Sequence, residues 1–255
     1  MITVLTPSKT MDFKSAPPSY LHSTQPLFLP EANELREIIS GYDRSTIKTL
    51  MSVSDDLADR VQVMYRDQVS KPSFWAYDGD VFKGVQAATL TESDALFAQE
   101  HIVVPSGLYG LVRPFDRISP YRLEMKAKVG VGDTNNLYQF WGDKLGRYVE
   151  RYANHEVLML SSYEYARTIL PYVSVKTRVV TPAFIDKKPN GVEAQVAIYN
   201  KMMRGVMGRW VIDERIDSLD RVNEFRAHGY SYSQERSRPD CPVFYRDIMT
   251  PLRWE

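Results

Sequence analysis

Val104–Met125, VPSGLYGLVRPFDRISPYRLEM, decides how the rest of the chain is read. Val103 and Val104 end a strand, and Pro105, Ser106 and Gly107 break it. Gly110 follows, and Pro114 and Pro120 bracket a short turn. Glycine supplies backbone conformations that other residues resist, and proline fixes φ. A stretch so punctuated is neither one long helix nor one long strand. It nevertheless carries Tyr109, Arg113, Asp116, Arg117, Tyr121, Arg122 and Glu124. Polar and ionisable groups on a stiff, turn-rich backbone are how sites are built.

Outward from this stretch, 255 residues suit one large domain or two small ones and can bury a sizeable core. Lys plus Arg equals Asp plus Glu at 32 each, so an anion-binding surface must come from local clustering. The single cysteine, Cys241, allows no intrachain disulfide and points to a reducing setting. His22, His101, His155 and His228 are scattered without metal-ligand spacing, so no metal site is expected. MITVLTPSK lacks the basic and apolar regions of a signal peptide, and no apolar run reaches membrane-spanning length. A cytoplasmic protein without membrane contact is expected.

Ile2 to Leu5 reads as a buried strand, ended by Thr6-Pro7-Ser8-Lys9-Thr10, where Ser8 and Lys9 resemble a small anion site without the glycines of a Walker loop. Helices are predicted over Pro30–Ser40, Arg44–Met51, Ser54 or Asp55 to Tyr65, and Thr91–His101. Phe74–Val85 alternates weakly and is broken at Asp78-Gly79-Asp80, a tight-turn signal that offers Asp80 and Lys83 as site residues. Lys126–Asp133 reads as strand and turn, Leu137–Tyr152 as one helix, and Val157–Leu160 as a strand. Ser162 and Glu164 then open a helix that runs to Leu170. Thr177–Ile185 and Gly191–Ile198 read as strands joined by the hairpin 186–190. A short helix over Asp217–Phe225 and terminal strands over 228–233 and 243–246 complete the chain.

The predicted helix from Tyr199 to Ile212 gathers Lys201, Arg204, Gly205, Gly208 and Arg209 on one side, with Met203, Val206, Met207 and Trp210 opposite. Helical glycine costs about 0.5–1 kcal/mol against alanine. Two on the basic face imply that a phosphate backbone or a neighbouring protein strand comes close there. No repeat, linker or charge block divides the chain, so one compact α+β domain over residues 1–255 is expected. In it, a mixed β-sheet surrounded by helices would carry a polar, basic cleft.

No GxSxG, GxGxxG, Ser-His-Asp arrangement or zinc-deaminase signature is present, and no cofactor is implied. Cations, acids and bases recur instead in turns after strands, where open α/β sheets bind ligands. A cleft of this kind suits phosphate-bearing ligands, either a nucleotide or a nucleic acid.

The ordered motifs TPSKT (6–10), DGDVFKG (78–84), PSGLYGLVRPFDRISPYRLEM (105–125), LYQFWGD (137–143), SxEY (162–165) and KMMRGVMGRW (201–210), with Gly229-Tyr230 and Val243-Phe244, run through nearly the whole chain. In this set the sequence resembles the bacterial YaaA family of peroxide-stress-resistance proteins. The resemblance implies survival of hydrogen peroxide by limiting damage from intracellular unincorporated iron. It also implies binding of double-stranded DNA through a positively charged cleft and a helix-hairpin-helix-like element, for which Ser106–Gly110 is the candidate hairpin. On that reading Ser8, Lys9, Lys83, Ser106, Gly107, Tyr109, Gly110, Arg113, Tyr121, Arg122, Lys201, Arg204 and Arg209 contact DNA or phosphate. The alternative is an enzyme acting on a nucleotide or nucleobase. Asp80, Asp116, Glu124 or Glu164 would then be the general acid/base, with a raised carboxyl pKa, and the cations would hold phosphate.

Overall fold

Ile2–Leu5 (β1) is buried at all four positions and lies at the middle of a sheet, as its unbroken apolar run predicts. The computed structural model describes residues 1–67 and 69–247. The remaining strands are β2 (Lys71–Pro72), β3 (Ile102–Ser106), β4 (Gly110–Val112), β5 (Arg117–Ile118), β6 (Glu156–Leu160), β7 (Arg178–Val180), β8 (Ala183–Lys187), β9 (Glu193–Ala194), β10 (Arg226–Ala227), β11 (Tyr230–Tyr232) and β12 (Val243–Arg246). The α-helices are α1 (Leu29–Ser40), α2 (Arg44–Met51), α3 (Asp55–Arg66), α4 (Ser73–Ala76), α5 (Asp80–Val85), α6 (Glu92–His101), α7 (Leu137–Trp141), α8 (Lys144–Tyr152), α9 (Tyr163–Ala166) and α10 (Ala197–Asp213).

The first sheet has the order β4-β3-β1-β6-β7 and is parallel except for the hairpin strand β4. The second has the order β10-β11-β12-β8-β9, with only β12 and β8 parallel. Helix α10 joins the two. It packs on β1 and β6 of the first sheet and on β8 of the second. This is the expected mixed α+β arrangement in a single domain. The cap signals at Ser54 and Thr91 are realised: Ser54 accepts a backbone N–H bond at the start of α3, and Thr91 with Asp94 forms a capping box at α6; Asp43, not singled out in the sequence, caps α2 in the same way.

Several expectations need correction. The strand drawn over Gly191–Ile198 is reduced to β9, and its last two residues already belong to α10. The weak alternation of Phe74–Val85 belongs to two short helices, because Val81, Phe82 and Val85 turn one face into the core. Residues 126–133 form turns, with Ala127 N–H donating to Glu124 O, and no strand. The helix drawn over Leu137–Tyr152 is two, α7 and α8, separated where Gly142 takes a positive φ of 50°. The strand drawn over Thr177–Ile185 is also two. Pro182 lacks an N–H to continue a ladder, and the chain passes from β7 in the first sheet to β8 in the second.

Val104–Met125 is the wall between core and site. Ser106 pairs with Gly110 across a tight β-hairpin, and Gly110 takes φ 70° there. Trp141 covers the turn and donates its indole N–H to Gly107 O at 3.0 Å. The hairpin expected to face a duplex is therefore a buried β-turn.

Candidate functional site

Parallel β1 and β6 end in register, with Leu5 beside Leu160. The residues that follow therefore emerge side by side at the carboxyl ends of the strands. Thr6 Oγ1 ties the two exits by donating to Leu160 O at 3.3 Å and accepting from Ser162 N–H at 2.9 Å. The loop after β1 is held in turn against residues 76–78: Asp78 N–H donates to Thr10 O at 2.9 Å, and the Thr10 hydroxyl donates to Asp78 O. Gly79 sits against Ser8, where a Cβ would stand 3.1 Å from the Ser8 Cβ. The result is a cleft of about 540 Å³ walled by the two strand exits, the 122–126 segment, the start of α5 and the first turns of α10.

Ser8, Lys9, Asp80, Lys83, Glu124, Glu164, Lys201 and Arg204 of the expected set meet in this cleft. Lys126, Asp78 and Tyr165 join them and were not singled out. Lys126 is brought beside Glu124 by the turn in which Ala127 N–H donates to Glu124 O, a contact that alternation along the sequence does not signal.

Glu124 is the charge centre of one wall. It stands 2.5 Å from Lys9 Nζ, 3.2 Å from Lys126 Nζ and 3.7 Å from an Arg122 guanidinium nitrogen. Burial works to raise its carboxyl pKa, but the hydrogen bonds and charges of Lys9 and Lys126 outweigh burial and hold it below the ordinary range. The raised carboxyl that the enzyme reading asks for is thus not found at Glu124. Glu164 instead accepts the Lys126 backbone N–H at 3.2 Å.

The opposite wall is different. Lys83, Lys201 and Arg204 make no side-chain hydrogen bond or ion pair to any described residue. Arg204 is half-buried, and burial lowers its pKa by opposing the charge. Among the described residues no group of three or more His, Cys, Asp or Glu is placed to hold a metal ion.

The other expected site residues lie elsewhere. Ser106, Gly107, Tyr109, Gly110 and Tyr121 are buried. Ser106 Oγ donates to Tyr121 Oη at 2.8 Å and accepts the Tyr109 N–H at 3.0 Å, and the Tyr121 and Tyr77 hydroxyls pair at 2.8 Å. These residues make a polar network inside the core and no contact surface. Asp116 is fully buried and accepts from Thr24 Oγ1 at 2.5 Å, from Arg113 N–H at 2.8 Å and from the Arg113 guanidinium at 3.1 Å. It pins the turn after β4, and Arg113 is spent on it. Arg122 lines a smaller recess of about 300 Å³ behind Glu124.

Arg209 donates to Gln86 O at 3.2 Å and to Thr89 Oγ1 at 2.6 Å, and pairs with Asp213 at 2.7 Å. It fastens α10 to the exit of α5 and does not face the cleft. The segment that approaches the helical glycines is α5 of the same chain. A Cβ on Gly205 would stand 2.7 Å from the Val81 carbonyl carbon, and one on Gly84 would stand 2.8 Å from Met202 O. The glycines thus press the start of α5, with Asp80 and Lys83, against the helix that carries Lys201 and Arg204.

Comparison with known proteins agrees with the motif set. A family model described as peroxide stress protein YaaA matches residues 1–236. A UPF0246 protein of Shewanella sp. strain MR-4 is 36% identical, covering 97% of this chain and 99% of its own length. A UPF0246 protein of Clostridium beijerinckii is 34% identical, covering 97% of this chain and 98% of its own. No helix among the described residues is long and apolar enough to cross a membrane. The match over nearly the whole chain, site segments included, places this protein in the peroxide stress protein YaaA family.

Proposed function

We propose that the protein serves the peroxide-stress response by binding double-stranded DNA through the cleft at the ends of β1 and β6, in the cytoplasm, and so limits damage caused by unincorporated iron. The observation that carries this reading is Arg204, a half-buried guanidinium with no side-chain partner among the described residues, lining the cleft with Lys83 and Lys201, which have none there either. A cation drawn from water without a counter-charge is costly, and a phosphate removes that cost. The guanidinium fork matches phosphate oxygens two at a time.

The test is fluorescence anisotropy of a labelled duplex over a series of salt concentrations. Lys201→Ala/Arg204→Ala should flatten the slope of log K against log salt by about one to two units, roughly 0.9 per lost phosphate contact. A double variant with unchanged affinity and slope overturns the reading.

A second reading, an enzyme acting on a nucleotide or nucleobase, is favoured by the carboxylates. Asp78, Asp80, Glu124 and Glu164 line the same cleft and repel a duplex backbone. A cleft volume near 540 Å³ also fits a small phosphorylated ligand.

A further inference from the structure

Beside the cationic cleft lies a second hollow of about 740 Å³ that the reading above leaves unused. The two share Asp78 and Lys83, so they are neighbouring parts of one depression. The second part is aromatic and apolar. Phe74, Trp75, Tyr77 and Phe82 form its floor, with the Phe82 ring 4.9 Å from Tyr77 and 5.8 Å from Phe74. Pro17 and Pro18 stand on one rim, Ala87 and Ala88 on the other.

Both rims are fixed. Lys71 is 4% exposed and donates to Asp12 O at 3.0 Å, to Asp12 Oδ2 at 3.1 Å and to Ser15 Oγ at 2.8 Å, which anchors the segment that leads into Pro17. Arg209 anchors the opposite rim through Gln86 O and Thr89 Oγ1. Ligand pockets are largely preformed, apolar and furnished with a few convergent polar groups. The lining of this hollow is mostly apolar, with Asp12, Ser15, Gln86 and Thr89 on its rims and Asp78 and Lys83 where it opens into the cleft. There the Asp78 carboxylate has no hydrogen bond or ion pair to any described residue, and Lys83 is free likewise.

We infer that this aromatic hollow is the base subsite for a free nucleoside monophosphate whose phosphate lies on Lys83 and Arg204 in the adjoining cleft. The inference rests on the reading that the cations of the cleft hold phosphate. A planar base packs against this aromatic floor, as bases do on aromatic side chains. Asp78, at the junction, accepts from the ribose hydroxyls as acidic residues do in other nucleotide sites. A nucleotide so seated occupies cations that the duplex would use, so the two ligands compete.

The test titrates adenosine 5′-monophosphate, ribose 5-phosphate and inorganic phosphate calorimetrically into the full chain, with labelled duplex as competitor. Stacking one base on aromatic side chains is worth roughly 5- to 150-fold in affinity. The monophosphate should bind tighter than ribose 5-phosphate by at least the lower figure and should displace duplex. Ala88→Trp, a substitution at an exposed rim position, should fill the hollow and erase that gap while ribose 5-phosphate binding persists. Arg204→Ala should weaken both ligands. Equal binding of the two sugar phosphates, or a gap that survives in a folded Ala88→Trp protein, overturns the base subsite and leaves the cleft reading standing. If no phosphate-bearing ligand binds, duplex included, the cleft reading falls and takes the inference with it.

Discussion

Gly205→Ala tests whether the helical glycines serve the α5–α10 contact. The added Cβ would stand 2.7 Å from the Val81 carbonyl carbon and 3.0 Å from the Val81 Cα, against about 3.5–4.0 Å for unstrained carbon pairs. Both sides of this contact are backbone, so no side chain can swing aside. The two helices must part by about 1 Å, or α5 must shift. Overpacking of this kind costs about 1–3 kcal/mol, and the lack of a yielding partner puts Gly205 at the upper end. Alanine returns about 1 kcal/mol over glycine inside a helix. The net loss is about 2 kcal/mol, which for a chain of this length lowers Tm by about 4–8 °C. Thermal unfolding at neutral pH, followed by circular dichroism or calorimetry, measures it. Gly41→Ala is the control, since its Cβ meets nothing nearer than Ile38 O at 3.5 Å. An unchanged or raised Tm for Gly205→Ala refutes the packing account and restores the expectation that a ligand approaches those glycines.

Two further outcomes follow from buried or shielded charges. Burial works to raise the Asp94 carboxyl, but hydrogen bonds from Thr91 and Arg215 override it and hold it at about 2, against an ordinary 3.8. A depressed carboxyl contributes stability above its unfolded value and loses it as pH falls through the folded one. The Tm of the wild type should therefore fall between pH 3.8 and about 2 more steeply than that of Asp94→Asn, and equal slopes in that window would contradict the assignment. Lys71→Met should destabilise by about 2 kcal/mol, because it leaves Asp12 and Ser15 without their buried donor. Limited proteolysis should then cut first within residues 12–18, and cutting elsewhere would show that Lys71 does not anchor that segment.

Short-range chemistry was readable in the chain. Caps at Ser54 and Thr91 located two helices, and the run Ile2–Leu5 located the central strand. Half of the site was readable too, because the end of a parallel strand is a reliable place to look and Ser8, Lys9 and Glu164 stand at two of them. Long-range pairing was hidden. Arg113 and Arg209 look like free cations in a sequence, yet Asp116 and Thr89 claim them after folding. Gly205 and Gly208 look like a landing strip for a ligand until α5 is seen lying on Gly205 and the Leu5 side chain against Gly208. The S-G-L-Y-G turn carries hairpin chemistry that fits a surface loop and a core turn alike. Only the position of Trp141 over Gly107 decides between them.

Glu124 bears most directly on what the cleft is for. Three cations surround its carboxylate, which is held ionised by Lys9 and Lys126 despite its burial. An acid ionised well below neutral pH is a poor proton donor, which weighs against Glu124 as a general acid. It is a resident anion, the protein's own, that occupies Lys9 and Lys126, so these two cations are not open to a ligand while it is charged. Glu124→Gln keeps the shape, removes the charge and releases Lys9 and Lys126 to face the ligand. For duplex binding the variant should therefore gain affinity at every salt concentration. The slope of log K against log salt should steepen by about 0.9 for each released cation that reaches a phosphate. If the carboxylate instead orders the lysines for a small ligand, the variant binds duplex no better and loses affinity for ribose 5-phosphate. Paired salt titrations of wild type and Glu124→Gln separate these outcomes, and a weakened duplex with an unchanged slope would remove the resident-anion account.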